Sequence, residues 1–121
     1  MSRTADKNTS FEDNFKRSVS PMIVLLLLSE KPMYAYNLSQ ELEKRSNHTY
    51  KMNFLYPVLY KLLQNGYITE YSQEITENHR TRNYYTITEN GKSYLELLIK
   101  KYRELISAVD DFIENYNINQ N

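Results

Sequence analysis

The chain of 121 residues contains no cysteine, no tryptophan, only two glycines and only three prolines. Each scarcity removes a class of function. Without cysteine there is no disulfide, no thiolate metal site and no cysteine nucleophile, and the chain suits a reducing compartment such as the cytoplasm. Two glycines cannot build a glycine-rich phosphate cradle. His48 and His79 stand far apart with no ligand-like spacing, so neither a metal nor another cofactor is expected. The longest unbroken apolar run, Met22 to Leu28, is far too short to span a bilayer, so no membrane association is expected. Glu12 and Asp13 precede that run without a small-residue cleavage site, so no signal peptide is expected either. An excess of charge is also missing: Lys plus Arg number 15, Asp plus Glu number 15, and the formal net charge is zero. An anionic partner would have to be met by a local cluster of cations. No nucleophile sits in a local base motif. Asp110 and Asp111 fall on adjacent positions of a helical stretch and point in different directions. The chain is not expected to be an enzyme.

Tyrosine is abundant, at 12 residues. Its ring packs while its hydroxyl stays wet, which suits half-exposed surfaces as well as cores and strands. Length and an ordinary 40% hydrophobic, 25% charged composition indicate one globular domain.

Periodicity divides the chain. Met1 to Ser10 is polar and expected to fray. Phe11 to Ser18 reads as a short amphipathic helix with Phe11 and Phe15 one turn apart. Ser20-Pro21 reads as an N-cap and first helical residue for a separate helix, Met22 to Ser29, which is apolar nearly all round and therefore buried. After Glu30-Lys31-Pro32 a second helix runs from Tyr34 to Arg45, with Tyr34, Leu38 and Leu42 on one stripe. Ser46 to Thr49 is a polar loop and Tyr50 to Met52 is extended. Asn53 reads as the cap of a third helix reaching about Gln64, with Pro57 in or just after its first turn and Asn65-Gly66 as its stop. Its core face includes Leu55, Val58, Leu59, Leu62 and Leu63.

The period then changes. Tyr67 to Ile75 and Arg82 to Thr88 have strand composition, and Thr76 to Thr81 forms the tip of a hairpin. A last helix begins on one side or the other of Gly91. Its apolar residues Leu95, Leu98, Tyr102, Leu105, Val109, Phe112 and Tyr116 alternate three and four apart, with Ile99, Ile106 and Ile113 alongside. The tail from Asn117 is polar and expected to be loose.

The order is helix, helix, helix, hairpin, long helix. This is a mainly α fold with a small β-hairpin: a winged helix-turn-helix over residues 19–90 and a C-terminal dimerisation helix over 91–116. Residues 1–18 form an N-terminal extension and 117–121 a polar tail. In a helix-turn-helix one helix braces the DNA backbone while the next enters the major groove, and the hairpin serves as the wing.

Several motifs stand in order along the frame: Pro32 to Leu38, Leu55 to Leu62, Asn65-Gly66-Tyr67-Ile68, Arg80 to Tyr85 and Ile87 to Gly91. From about Ser20 to Ile113 the chain resembles the PadR family of transcription regulators, in its short form with a single C-terminal helix. The family often places His-Gly before the second-helix tyrosine, where this chain has Tyr34-Ala35. Where the family carries a small, Ser/Pro/Gly/Thr-rich stretch at the start of the third helix, this chain has Lys51 to Phe54. The wing is commonly Gly-rich with consecutive arginines and here reads Glu77 to Arg82. The fold carries over; base preference does not. The resemblance implies a regulator, commonly a repressor, that leaves DNA when a small and often aromatic molecule binds.

For double-stranded DNA the candidate residues are Tyr36, Lys51, Asn53, Phe54, Tyr56, Lys61, His79, Arg80 and Arg82. Phosphates need cations and neutral donors, whereas bases are read from the groove-facing end of the recognition helix. Arg80 and Arg82 carry the planar, always charged fork that suits phosphate and narrow minor grooves. Asn53 either caps or reads adenine. Tyr56 and Tyr36 either donate to phosphate or pack. Lys61 either touches backbone or is solvated. For a homodimer the candidates are Phe11, Phe15, Leu98, Tyr102, Leu105, Val109 and Phe112, because the stripe runs beyond what so small a domain can cover. Two-fold symmetry would match a pseudo-palindromic operator. Tyr102, at mid-seam, either packs the interface or lines a space for an aromatic or apolar ligand. The competing function is a winged-helix module that binds protein in place of DNA. Net neutrality favours it, and Lys51, Arg80 and Arg82 oppose it.

Overall fold

A computed structural model describes residues 3–75 and 80–120. The elements are α1 (Arg3–Glu30), β1 (Met33–Tyr34), α2 (Ala35–Arg45), α3 (Leu55–Gln64), β2 (Ile68–Ile75), β3 (Arg80–Ile87) and α4 (Glu89–Gln120). The core gathers Val24, Leu25, Leu27 and Leu28 of α1 with Leu38 of α2. Leu55, Val58, Leu59 and Leu62 of α3, Met33, Ile68 and Tyr85 of the sheet, and Leu95 of α4 complete it. The apolar segment of α1 is the axis around which the rest packs, as its nearly unbroken apolar surface requires.

The two expected N-terminal helices are one. α1 runs unbroken through Pro21, so Ser20 does not act as an N-cap. A proline in a helix leaves a carbonyl one turn earlier without its N–H. Here the neighbourhood is reinforced from outside the helix. Tyr50 Oη lies 3.1 Å from the Lys16 carbonyl oxygen and 2.5 Å from Ser20 Oγ, and Ser20 Oγ also bonds to the Lys16 carbonyl. Ser20 is fully buried, and its hydroxyl is thereby satisfied. Burial raises the Tyr50 pKa above the usual tyrosine value, and the Ser20 hydrogen bond opposes that shift.

The wing is part of a three-stranded antiparallel sheet of order β1-β3-β2, not a lone hairpin. Met33 pairs with Tyr85 and Tyr34 with Tyr84, while Ile68 to Ile75 run against Ile87 to Arg80. β1 leads directly into α2, so the sheet edge is tied to the first helix of the helix-turn-helix. The far end of α2 is tied to α1, where Arg45 donates to both carboxylate oxygens of Glu30 at 2.6 and 2.7 Å and to Glu41 at 2.9 Å. These bonds, the Arg45 contact first, lower the Glu30 pKa below its ordinary value, and they raise that of Arg45.

α3 ends as its sequence dictates. Gly66 takes φ +73°, Gly66 N–H donates to the Leu63 carbonyl at 3.1 Å, and Tyr67 N–H donates to Leu62 at 3.0 Å. This is the paired C-terminal closure that only a residue free to adopt the left-handed region supports at low cost. Its start differs from expectation: Phe54 stands at the N-cap with no side-chain bond, and Asn53 lies one residue outside. α4 begins before Gly91. Thr88 Oγ1 accepts from Gly91 N–H at 3.0 Å and donates to the Gly66 carbonyl at 2.7 Å, so one threonine caps α4 and holds the α3 exit. α4 also continues to Gln120, through residues expected to be loose. No helix among the described residues is long and apolar enough to cross a membrane.

Candidate nucleic-acid interface

α3 buries Leu55, Val58, Leu59 and Leu62. That stripe turns Tyr56 and Tyr60 outward on one flank and Pro57 and Lys61 on the other. Tyr56 and Tyr60 are 67% and 63% exposed, which is far from a packed core role. Gln64 Nε2 donates to Tyr60 Oη at 3.1 Å. Tyr60 was not among the residues expected at the interface. Its signal was present, since it follows Tyr56 by four and avoids the leucine stripe.

A shallow cleft of about 320 Å³ separates the N-terminal turns of α2 and α3. It is lined by Ala35, Tyr36, Ser39, Met52, Asn53, Leu55 and Tyr56, and none of these is acidic. Three expected DNA residues, Tyr36, Asn53 and Tyr56, therefore meet at one place. Gln40 Nε2 donates to Tyr36 Oη at 3.0 Å, which leaves that hydroxyl with its own proton to give. The Tyr36 ring stacks at 6.4 Å on Tyr34, and the Arg82 guanidinium carbon sits 4.4 Å from the Tyr34 ring centroid. The cleft is thus continuous with the wing through Tyr34. Below it Tyr85 is buried, and burial first, then Glu70 and Tyr56, raise its pKa.

The other expected residues fall elsewhere. Lys51 is exposed, and its Nζ lies 3.8 Å from Glu43 Oε1, which His48 also approaches at 3.1 Å. Phe54 is half-buried, with Arg17 at 5.1 Å over its ring. Phe54 and Lys61 border a separate pocket of about 390 Å³ between α1, α3 and α4, floored by Tyr67 and Tyr94 stacked at 4.1 Å. Arg80 and Arg82 are exposed, and both belong to β3, so Arg80 lies on the strand and not in the tip. His79 lies outside the described residues.

The distal half of α4 leaves its apolar stripe uncovered by the rest of the chain. Leu105, Val109, Phe112, Ile113 and Tyr116 are between 52% and 78% exposed, whereas Leu98 is half-buried against the core. Tyr102 does not face the large pocket. It borders a groove of about 330 Å³ with Leu105 and Ile106 of α4 and Phe11, Phe15 and Val19 of α1. Phe11 and Phe15 stack at 6.4 Å along its wall.

The family model described as the transcriptional regulator PadR-like family matches residues 24–97. An uncharacterized protein of Lysinibacillus sphaericus is 35% identical over 94 residues, covering 76% of this chain and 85% of that protein. A solved transcriptional regulator from Clostridium thermocellum is similar with a TM-score of 0.76 and 28% identity, over 82% of this chain and 97% of that one. A PadR family transcriptional regulator from Eggerthella lenta has a TM-score of 0.73 at 24% identity, over 90% of each chain, a likeness of fold. The helix-turn-helix, the strand-tethered wing and the long last helix are thus parts of a known architecture, and the chain belongs to the PadR-like family of transcriptional regulators.

Proposed function

We propose that the chain acts by binding and not by catalysis, as a cytoplasmic homodimeric repressor that docks on a pseudo-palindromic operator. The observation that carries this reading is the continuous surface from Tyr56 and Asn53 across the cleft to Tyr36, and through Tyr34 to Arg82. It joins neutral donors at two helix N-termini to a wing cation, which is what a phosphate backbone demands of a net-neutral chain. Asn53 and Tyr56 stand at the groove-entering start of α3, with Tyr60 one turn farther along the same flank. Tyr36 meets backbone beside it, Arg80 and Arg82 follow along the wing, and Lys51 adds a flanking cation. Lys61 and Phe54 contribute from the far flank of α3.

Dimerisation covers the bare stripe of α4 through Leu98, Tyr102, Leu105, Val109 and Phe112, with Phe11 and Phe15 of α1 alongside. Uncovered apolar area of this extent marks an association site. Release by a small aromatic or apolar molecule is supported by the groove at Tyr102, where an occupant would wedge α1 from α4 and so move the two recognition helices apart.

The test is the Arg80→Ala, Arg82→Ala double variant against wild type on DNA flanking the chain's own gene. Affinity falls at least tenfold. The slope of log affinity against log salt becomes shallower by about 0.9 for each phosphate that is no longer neutralised. Equal affinity and equal slope would remove the wing from the interface.

A further inference from the structure

β1 is only two residues long, yet its pairing with β3 sets Tyr34 opposite Tyr84. Residues two apart on a strand share a face, so Arg82 lies on the same side of the sheet as Tyr84 and reaches sideways to Tyr34. The Arg82 guanidinium carbon is 4.4 Å from the Tyr34 centroid. Tyr34 is itself held by Tyr84, which meets it edge-on at 5.5 Å; Tyr71 stacks on the Tyr84 ring at 5.6 Å and 14° from β2, one strand farther from Tyr34. Tyr34 is half-buried, stands immediately before α2, and has the Tyr36 ring stacked with it at 6.4 Å.

A guanidinium set over an aromatic ring keeps its N–H edge free for an acceptor. An arginine on an exposed strand otherwise samples many rotamers and must be ordered when it binds. One ring here neighbours both the wing cation and the helix-borne hydroxyl residue. We propose that Tyr34 is a positioning residue: its ring holds Arg82 in register with Tyr36, so that the wing and the start of α2 engage one stretch of phosphate backbone as a unit. The proposal rests on the DNA-binding reading above and deepens it, since it assigns a role to a residue that need not touch DNA.

The experiment measures anisotropy on a labelled duplex taken from the wild-type footprint. It compares wild type, Tyr34→Leu, Tyr34→Phe, Arg82→Ala and the Tyr34→Leu, Arg82→Ala pair, with Tyr71→Leu as a ring deletion on the same sheet face. Tyr34→Leu weakens binding roughly two- to tenfold, the range set by releasing one rotamer-rich side chain. Tyr34→Phe restores wild-type affinity, Tyr71→Leu stays within about twofold, and Tyr34→Leu adds nothing once Arg82 is alanine. Unchanged affinity in Tyr34→Leu overturns the proposal. So does a weakening that persists in full without Arg82, or an equal weakening in Tyr71→Leu, because either describes a general loosening of the sheet.

A second arm needs no DNA. The chain lacks tryptophan, so Tyr34→Trp carries the sole indole, and adding Arg82→Ala must shift its emission. An unshifted spectrum overturns the stacking itself, including in the case where wild type binds no duplex and the broader reading has failed.

Discussion

Alanine at Gly91 tests how α4 is seated on the wing. In an open helix this change stabilises, by about 0.5–1 kcal/mol. Here a Cβ would lie 2.0 Å from the Tyr67 carbonyl oxygen and 2.8 Å from Ile87 Cγ1, whereas carbon–oxygen contacts settle beyond about 3.3 Å. The first turn of α4 must therefore retreat by roughly 1 Å. Retreat strains the Thr88 N–H bond to the same carbonyl, at 3.1 Å, and the Tyr67–Tyr94 stack at 4.1 Å. Overpacking costs about 1–3 kcal/mol and the weakened hydrogen bond about 1 kcal/mol more. Against the helix gain, the net cost is about 1–3 kcal/mol. For a domain of this size that lowers Tm by roughly 5–15 °C. Thermal unfolding followed by circular dichroism, at one protein concentration because association shifts Tm, gives the answer. A Tm equal to or above wild type would refute so close an approach of α4 to Tyr67.

Leu105→Asp with Val109→Asp converts the dimer to monomer in light scattering at micromolar concentration, while helix content per chain stays high; a wild type already monomeric there removes the dimer. Glu30→Gln has a pH-dependent effect. Because Arg45 holds the Glu30 pKa below its ordinary 4.5, the pair stabilises above that value and its contribution is lost as pH falls through the folded pKa. Urea midpoints of the variant and wild type therefore differ at pH 7, and the gap closes as pH falls below 4.5 through the folded pKa; a gap that does not change with pH would exclude this linkage. Tyr50→Phe leaves Ser20 Oγ and the Lys16 carbonyl with one partner fewer and destabilises by about 1–3 kcal/mol, read from urea unfolding, with no change if the hydroxyl is dispensable.

What the sequence made legible was governed by local chemistry. The Asn65-Gly66 stop, the leucine face of α3 and the alternating stripe of α4 each depend on neighbours within a few residues, and each is found where expected. What was hidden depends on distant partners. Ser20-Pro21 carries the signature of a helix start, but α1 passes through it, and Ser20 there meets Tyr50, 30 residues on. Met33-Tyr34 is too short to announce a strand, and its partners Tyr85 and Tyr84 lie about 50 residues on. Asn53 has cap chemistry, yet the helix opens at Leu55 behind Phe54. Of the expected DNA residues, Tyr36, Asn53 and Tyr56 share one cleft, and Arg82 joins it through Tyr34. Lys61 stands on the opposite flank, because a shift of one residue around α3 turns a side chain by about 100°.

Tyrosines, amide donors and a few wing cations are the means by which this neutral chain is proposed to meet DNA. Footprinting wild-type protein on the DNA flanking its own gene, at physiological salt, tests that claim most directly. The expected result is two symmetric protected patches about one helical turn, or a small multiple of it, apart, appearing at submicromolar protein. No protection above that on unrelated DNA, from protein shown to be folded, would contradict it.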